Sequence, residues 1–330
     1  MTEKMKTVCI GRFLVDLPQE TRLELRGPRI HGLDISSVDA SEANFRVRLA
    51  QREAELRATP DQFAGDKNLE SVREVKTDNG VVGKIFVHGR KVAEGTQANG
   101  SELERYRDEG IAIEAMVHGE GMSFDLAANG YDPDKIENLS RLVAKLVPNP
   151  HNQIPTEPGF CIDRAWFRDP LPAEQGEQVM MSAQLPSHPD IEFLIMLAAG
   201  NKPSEQSLLE RSAAADAGLS IFDKMHVSNL RASPRVIGGI SGDELVTRFS
   251  EKNDALVYTF WWEAAGTVDN VLIPRFSFTM ETGKGGNGPV PSSLSQEAAI
   301  TLWDKISSSI RLHSPDPRKL AHPASRLPKL

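Results

Sequence analysis

A short pattern occurs twice in this chain. Near the start the sequence reads Thr7-Val8-Cys9-Ile10-Gly11-Arg12-Phe13-Leu14-Val15-Asp16-Leu17-Pro18, and near the middle Gly159-Phe160-Cys161-Ile162-Asp163-Arg164-Ala165-Trp166-Phe167-Arg168-Asp169-Pro170. Cys, Ile, Arg and Pro recur in the same order and spacing, as Cys9/Cys161, Ile10/Ile162, Arg12/Arg164 and Pro18/Pro170. The sequence contains 2 cysteines, and they fall at matching places. Self-similarity at this scale dictates architecture before any local reading does. It points to two copies of one domain, end to end.

Later features keep the same order in both halves. Ser41-Glu42-Ala43-Asn44-Phe45 opens a helical stretch, as does Ser204-Glu205-Gln206-Ser207-Leu208. Gly80-Val81-Val82-Gly83 precedes a strand, as does Gly239-Ile240-Ser241-Gly242. Met122-Ser123-Phe124-Asp125-Leu126 alternates like Phe276-Ser277-Phe278-Thr279-Met280. An amphipathic helix closes each half, around Lys135–Leu146 and Ser295–Leu312.

Within the first copy, Val8–Leu17 reads as one strand ended by Pro18, and Leu23–Arg26 and Leu33–Val38 as strands around a turn at Gly27-Pro28. Ser41 is a helix N-cap ahead of Phe45, Leu49 and Leu56, which share a face. The run Arg46, Arg48, Arg52, Arg57 with Glu53 and Glu55 reads as a solvated helix face. Asn79-Gly80 is a hairpin turn before strand Val81–His88. Ile111–Val117 and Met122–Ala127 form a second hairpin. Ile136, Leu139, Leu142, Val143 and Leu146 line the closing helix. The second copy repeats the plan. Cys161–Phe167 is its first strand, and Val179–Gln184, Val257–Glu263 and Arg275–Glu281 are further ones. Ser204–Ala217 is its first helix, and the apolar run Ile191–Ala198 is expected to be central and buried on both faces.

These segments predict an α+β protein: two tandem copies of a similar domain, each an antiparallel sheet with helices packed on one face, together a two-lobed clamp. The boundaries are an N-terminal domain over 1–149, a Pro-rich linker over 150–158, a C-terminal domain over 159–314 and a basic, Pro-rich tail over 315–330.

At 330 residues the chain is long enough for two cores without staples. A net charge of −8 speaks against nucleic-acid binding, which needs a basic face. No apolar run reaches membrane-spanning length, and the start of the chain lacks a signal-type apolar segment. The cysteines admit two readings: a disulfide between equivalent first strands, or two buried thiols.

The usual catalytic constellations are missing or incomplete. Gly283-Lys284-Gly285-Gly286-Asn287-Gly288 matches G-x-G-x-x-G, but prolines intervene before the helix and no strand with an acidic residue follows in a βαβ unit. Gly239-Ile240-Ser241-Gly242-Asp243 has Asp where a nucleophile elbow needs Gly, which leaves a serine hydrolase using Ser241 as a minor alternative. The 8 histidines show no metal-ligand spacing. No cofactor, metal or catalytic residue is therefore expected. Trp261 and Trp262 are neighbours on a strand, so their rings point to opposite faces.

The motifs Thr7–Pro18 and Gly159–Asp163 resemble those of immunity proteins cognate to type VI secretion lipase effectors, specifically the two-domain group paired with the fourth lipase class. The resemblance runs from about Met5 to Leu312. It implies a periplasmic protein, its signal or lipoprotein signal removed, with no enzymatic activity and no cofactor. It implies a phospholipase partner gripped in a one-to-one complex so that its lid cannot admit substrate. Contact residues are expected on loops that differ between the copies: Gln62–Lys67, Phe222–Met225 and Gly283–Pro289. Aromatic anchors dominate such interfaces, so Phe63, Phe222 and the exposed one of Trp261 and Trp262 are candidates, the other being core, together with Lys284 and Asn287. A duplicated envelope module carrying an apolar ligand is the other alternative.

Overall fold

The structure, a computed structural model, describes residues 4–100, 102–171, 176–268 and 270–313. The predicted tail 315–330 lies outside the described residues. In chain order the first copy comprises β1 (Met5–Ile10), β2 (Phe13–Pro18), β3 (Arg22–Ile30), β4 (Leu33–Asp39), α1 (Glu42–Ala58), β5 (Leu69–Lys76), β6 (Val82–Asn99), β7 (Glu102–Gly119), β8 (Met122–Tyr131), a 3-10 turn at Pro133–Lys135, α2 (Glu137–Lys145) and β9 (Leu146–Pro148). The second comprises β10 (Gly159–Ile162), β11 (Ala165–Arg168), β12 (Glu177–Leu185), β13 (His188–Ala199), α3 (Leu208–Gly218), the short α4 (Ile221–Lys224), β14 (Val227–Ile237), β15 (Ile240–Ser250), β16 (Leu256–Ala264), β17 (Arg275–Glu281), α5 (Gln296–Ser307) and β18 (Arg311–Leu312). Strand for strand the two series correspond, and antiparallel sheet dominates both. The order β4-β8-β7-β6-β5 in one matches β13-β17-β16-β15-β14 in the other.

Packing divides the chain elsewhere than the duplication does. One compact unit, the C-unit, takes the N-terminal segment through Arg26, Ile154–Cys161, and the chain from Pro170 onward. The other, the N-unit, takes Gly27–Gln153 and Ile162–Asp169. The reason lies in two small sheets. In the C-unit, β2 pairs antiparallel with β1 and with β18, the last strand of the second copy. In the N-unit, β11 pairs with β9, the last strand of the first copy. Each copy's opening hairpin is thus paired with the closing strand of the other.

The expected single strand Val8–Leu17 is instead a hairpin. Ile10 pairs with Phe13 across a two-residue turn, and Gly11 adopts φ 53°, a conformation that costs glycine little. A Cβ at Gly11 would lie 3.0 Å from Leu197 Cδ1, so any larger residue would also have to push that side chain aside. Cys161–Phe167 is likewise broken, at Arg164 with φ 57°. The turn expected at Gly27-Pro28 lies at His31-Gly32, where Ile30 pairs with Leu33; β3 runs on through the Gly-Pro pair.

In the C-unit, Phe193, Ile195, Leu197, Phe260, Trp262, Phe276, Phe278 and Met280 are buried. They share one face by strand alternation and register. Helix α5 seals this face: Trp303 stacks on Phe278 at 4.5 Å and lies 5.5 Å from Phe260. Its Nε1 donates to Glu244 Oε1 at 2.6 Å. Helix α3 lies against the opposite face, where Arg211 pairs with Glu263 at 2.9 Å and sits 5.9 Å above Trp261. The N-unit repeats this. Phe45 and Leu56 of α1 pack with Phe86 and Met116, while Arg73, on the other face of the sheet, pairs with Glu137 of α2. Helices packed on one face is therefore corrected to helices on both faces. The amphipathic stripe of a helix says what it buries, not which side of a sheet it meets.

Strand β13 also departs from expectation. It is central, between β17 and β12, yet it alternates, with Ile191, Phe193, Ile195 and Leu197 buried and Met196 48% exposed. The charged run on α1 is only partly solvated: Arg48 pairs with Asp125 at 2.9 Å and Arg52 with Glu114 at 2.8 Å, both on the sheet. The first helix of the second copy starts at Leu208, because Ser207 and Glu210 form a reciprocal capping box.

Cys9 and Cys161 are disulfide-bonded, 152 residues apart. Both belong to the C-unit, because Gly11 and Cys161 exchange backbone hydrogen bonds at 3.0 and 2.7 Å. The bond therefore joins the opening strands of the two copies, and both of its cysteines lie in the C-unit. Cross-linking so long a loop removes denatured-state entropy. Cys161→Ser should lower stability by roughly 3–5 kcal/mol, read as a lower urea midpoint under non-reducing conditions; equal midpoints would refute this.

Candidate partner-binding surface

On the α3 side of the C-unit sheet, over β12, β13 and β17, lies a groove of about 580 Å³. Its floor follows from register. Gln184 lies opposite Glu192 and Glu192 opposite Glu281; Ser182 lies opposite Leu194 and Leu194 opposite Thr279. Arg22, Glu24 and Arg26 from β3 and Lys284 complete the lining. Lys284 pairs with Glu281, and that hydrogen bond holds its ammonium pKa above the usual lysine value. Fixed charges of both signs do not suit an apolar ligand.

The predicted loop Gly283–Pro289 is anchored at its base. Asp190 is buried, and its Oδ2 accepts from Gly283 N at 3.0 Å and Ser293 N at 3.1 Å, while its carbonyl accepts from Lys284 N at 3.0 Å. Burial alone would raise the Asp190 pKa, but hydrogen bonds from Ser293 and Gly283 outweigh it and hold the pKa below the ordinary carboxylate value. The G-x-G-x-x-G segment thus starts as a pinned loop, with Asn287 exposed farther along it. Helix α5 begins only after Ser295, its N-cap.

The structure separates the predicted aromatic contacts. Phe222 is 66% exposed on α4, next to Ile221 at 83% and Met225 at 70%; its ring rests 4.6 Å from His226. These three form an apolar projection on the C-unit. Phe63, in the N-unit, is 82% exposed. Its loop is held by Asp61, whose carboxylate accepts from Phe63 N at 2.8 Å and Gly65 N at 2.9 Å. Those backbone hydrogen bonds, Gly65 first, depress the Asp61 pKa. Trp261 is half-buried beneath Arg211, its Nε1 donating to Ser277 Oγ at 3.0 Å. Trp262 is a correction: it is fully buried, with Nε1 donating to Arg235 O at 3.0 Å. Alternation places it on the core face, where no partner can reach it. Of the six candidates, Lys284 lines the groove.

Ser241 lies within β15 opposite Val236, on an exposed site. The Gly-Gly pair before it is a hairpin turn, with φ 60° and 82° at Gly238 and Gly239. A nucleophile elbow needs a strand-to-helix turn, so the hydrolase reading loses its geometry. The sequence reading missed α4, although Ser220 caps it by accepting from Asp223 N. It also missed His313, which the fold brings beside Cys9 and Cys161. No periodicity links residues so far apart.

A duplicated antiparallel framework displaying loops and a charged groove places the chain in a two-copy, sheet-dominated class of proteins. Residues 6–141 match the Tle cognate immunity protein 4 N-terminal domain, and residues 153–315 match the corresponding C-terminal domain. The chain belongs to the Tle cognate immunity protein 4 family, a family of immunity proteins rather than enzymes. Its fold is shared with a chain in the crystal structure of the Tle4–Tli4 complex, at TM-score 0.73 and 24% identity, over 94% of this chain and 97% of that one. It is also shared with the type VI secretion immunity protein TplEi of Pseudomonas aeruginosa. The apo form gives TM-score 0.72 and 25% identity over 94% and 97% of the two chains. The complex with "L" peptide gives 0.70 and 24% over 94% and 98%. No curated protein matches this chain. Among the described residues, no helix is long and apolar enough to cross a membrane.

The lowered Asp190 pKa sets a pH window. A depressed folded-state pKa contributes stability above the ordinary value of 3.8 and loses it as pH falls through the folded value. Amides of Gly283 and Ser293 should stay protected from hydrogen exchange at neutral pH and lose protection only as pH falls below 3.8 through the folded value. Asp190→Ala, which removes the acceptor oxygens, should expose them at neutral pH. Unchanged protection in that variant would show that Asp190 does not hold the loop.

Proposed function

We propose that this chain neutralises a lipase effector of a type VI secretion system by binding it one to one. In this reading the two copies act as the jaws of a clamp and hold the lipase lid so that substrate cannot enter. The site of action is the periplasm. The observation that carries the proposal is the family match over both halves of the chain. The fold shared with a chain of the Tle4–Tli4 complex supports it.

The contacts proposed are the exposed apolar side chains Phe222 and Phe63, together with the half-buried Trp261 and the exposed Lys284 and Asn287. Ile221 and Met225 extend the Phe222 projection. Large apolar groups this exposed gain most from burial in a partner pocket. A lipase presents such pockets where its lipid substrate enters.

The test is calorimetric titration of the lipase-like product encoded beside this chain, with lipase activity followed in parallel. Tight one-to-one binding with loss of activity is expected. No binding at micromolar concentration to a folded lipase would sink the proposal. Phe222→Ala should raise Kd about tenfold or more if it is a hot spot, with an unchanged far-UV spectrum because the side chain supports no core.

A further inference from the structure

Cys9, Cys161 and His313 each offer a ligand atom, and these atoms lie within 4.8 Å of one another. The imidazole is in a telling state. Its Nε2 lies 2.8 Å from the carbonyl oxygen of Pro155. A carbonyl only accepts, so Nε2 carries the hydrogen and Nδ1 carries the lone pair. Nδ1 is buried and has no hydrogen-bond partner. Metal-bound histidines are oriented in this way, one nitrogen donating to a carbonyl and the other left to the metal.

The framework around these groups does not depend on the disulfide. Gly11 and Cys161 exchange two backbone hydrogen bonds, and His313 N donates to Arg12 O at 2.7 Å. Antiparallel pairing of β1 with β2 fixes Cys9 opposite Leu14. With the sulfur–sulfur bond opened, two thiols and one imidazole would still face a common point.

We propose that the reduced protein holds a thiophilic metal ion at Cys9, Cys161 and His313, a site that oxidation to the disulfide closes. The chemistry balances. A dithiol reductant gives two electrons and two protons to the disulfide and becomes a disulfide itself, leaving Cys9 and Cys161 as thiols. A thiophilic ion then displaces both thiol protons and binds two thiolates and neutral Nδ1. Two soft sulfurs with one imidazole select Zn²⁺, Cd²⁺ or Cu⁺ over Mg²⁺ or Ca²⁺. Exchange with a disulfide oxidant reverses the sequence: the two thiolates give it two electrons, it takes up two protons and becomes a dithiol, the Cys9–Cys161 bond forms and the ion is released. Before it meets an oxidising compartment, the chain would carry a metal where it later carries a covalent bond.

The test uses the full chain, reduced anaerobically with a dithiol that is then removed. Cd²⁺ is titrated while the sulfur-to-cadmium charge-transfer band is followed. The reduced protein is expected to bind one equivalent, and the oxidised protein none. His313→Ala should weaken binding by about 10-fold or more, and Cys161→Ser should abolish the band. Should the reduced protein or a variant unfold, circular dichroism decides: added Cd²⁺ must restore the fold of the reduced wild type, and restore it less well in His313→Ala. Equal affinity with and without the imidazole overturns the proposal, as does a folded, reduced protein without the band or an unfolded one that Cd²⁺ fails to rescue.

Discussion

The pairing of β2 with β18 is the constraint on which the C-unit depends. It joins the opening hairpin of the first copy to the last strand of the second. Its counterpart in the N-unit pairs β11 with β9. Neither copy is closed by its own hairpin, so each compact unit draws residues from both. The C-unit cannot be completed until residues 311–313 have returned to Arg12, Phe13 and Leu14. Contacts this distant in sequence must offset loop-closure entropy before they stabilise anything. The Cys9–Cys161 bond lowers that cost by tethering one end of the loop.

Buried charge serves the same closure. Arg12, in the turn of the first hairpin, donates from Nε and Nη2 to the two oxygens of Glu177 at 2.7 and 2.6 Å. Both residues are buried. Such a pair adds little net stability over an apolar one, but losing one partner strands a buried charge. The pair therefore penalises any placement of the hairpin other than this one. Glu244 acts similarly for α5: Trp303, Arg235 and Arg231 converge on it, and Arg231 reaches Asp304 at 2.6 Å. Arg211 with Glu263 does so for α3 on the opposite face.

A sheet held in this way is a rigid support, and what it displays is surface. The groove on the C-unit is walled by ion pairs, and the loop at 283–289 is pinned at its base by Asp190. The apolar projection of α4 and the Phe63 loop stand exposed without core contacts to lose. Pre-ordered backbone with exposed anchors keeps the entropic cost of binding low.

The sequence by itself determined the duplication, the family, most strands, the capping of α1 at Ser41, the hairpin at Asn79-Gly80 and the apolar stripe of α2. Each of these rests on local chemistry: side-chain period, turn residues or a short repeated motif. It also placed Phe63 and Phe222 outside any core pattern, and both are exposed. Only the tertiary structure decided which hairpin pairs with which closing strand. Equivalent strands in a duplicated chain carry equivalent edges, and local pattern cannot choose between them. Only the tertiary structure assigned α3 and α5 to opposite faces, sent Trp262 rather than Trp261 to the core, and brought His313 to the cysteine pair. Those outcomes depend on which faces and edges remain free once the whole chain has closed, a property of the assembled sheet and not of any window of residues.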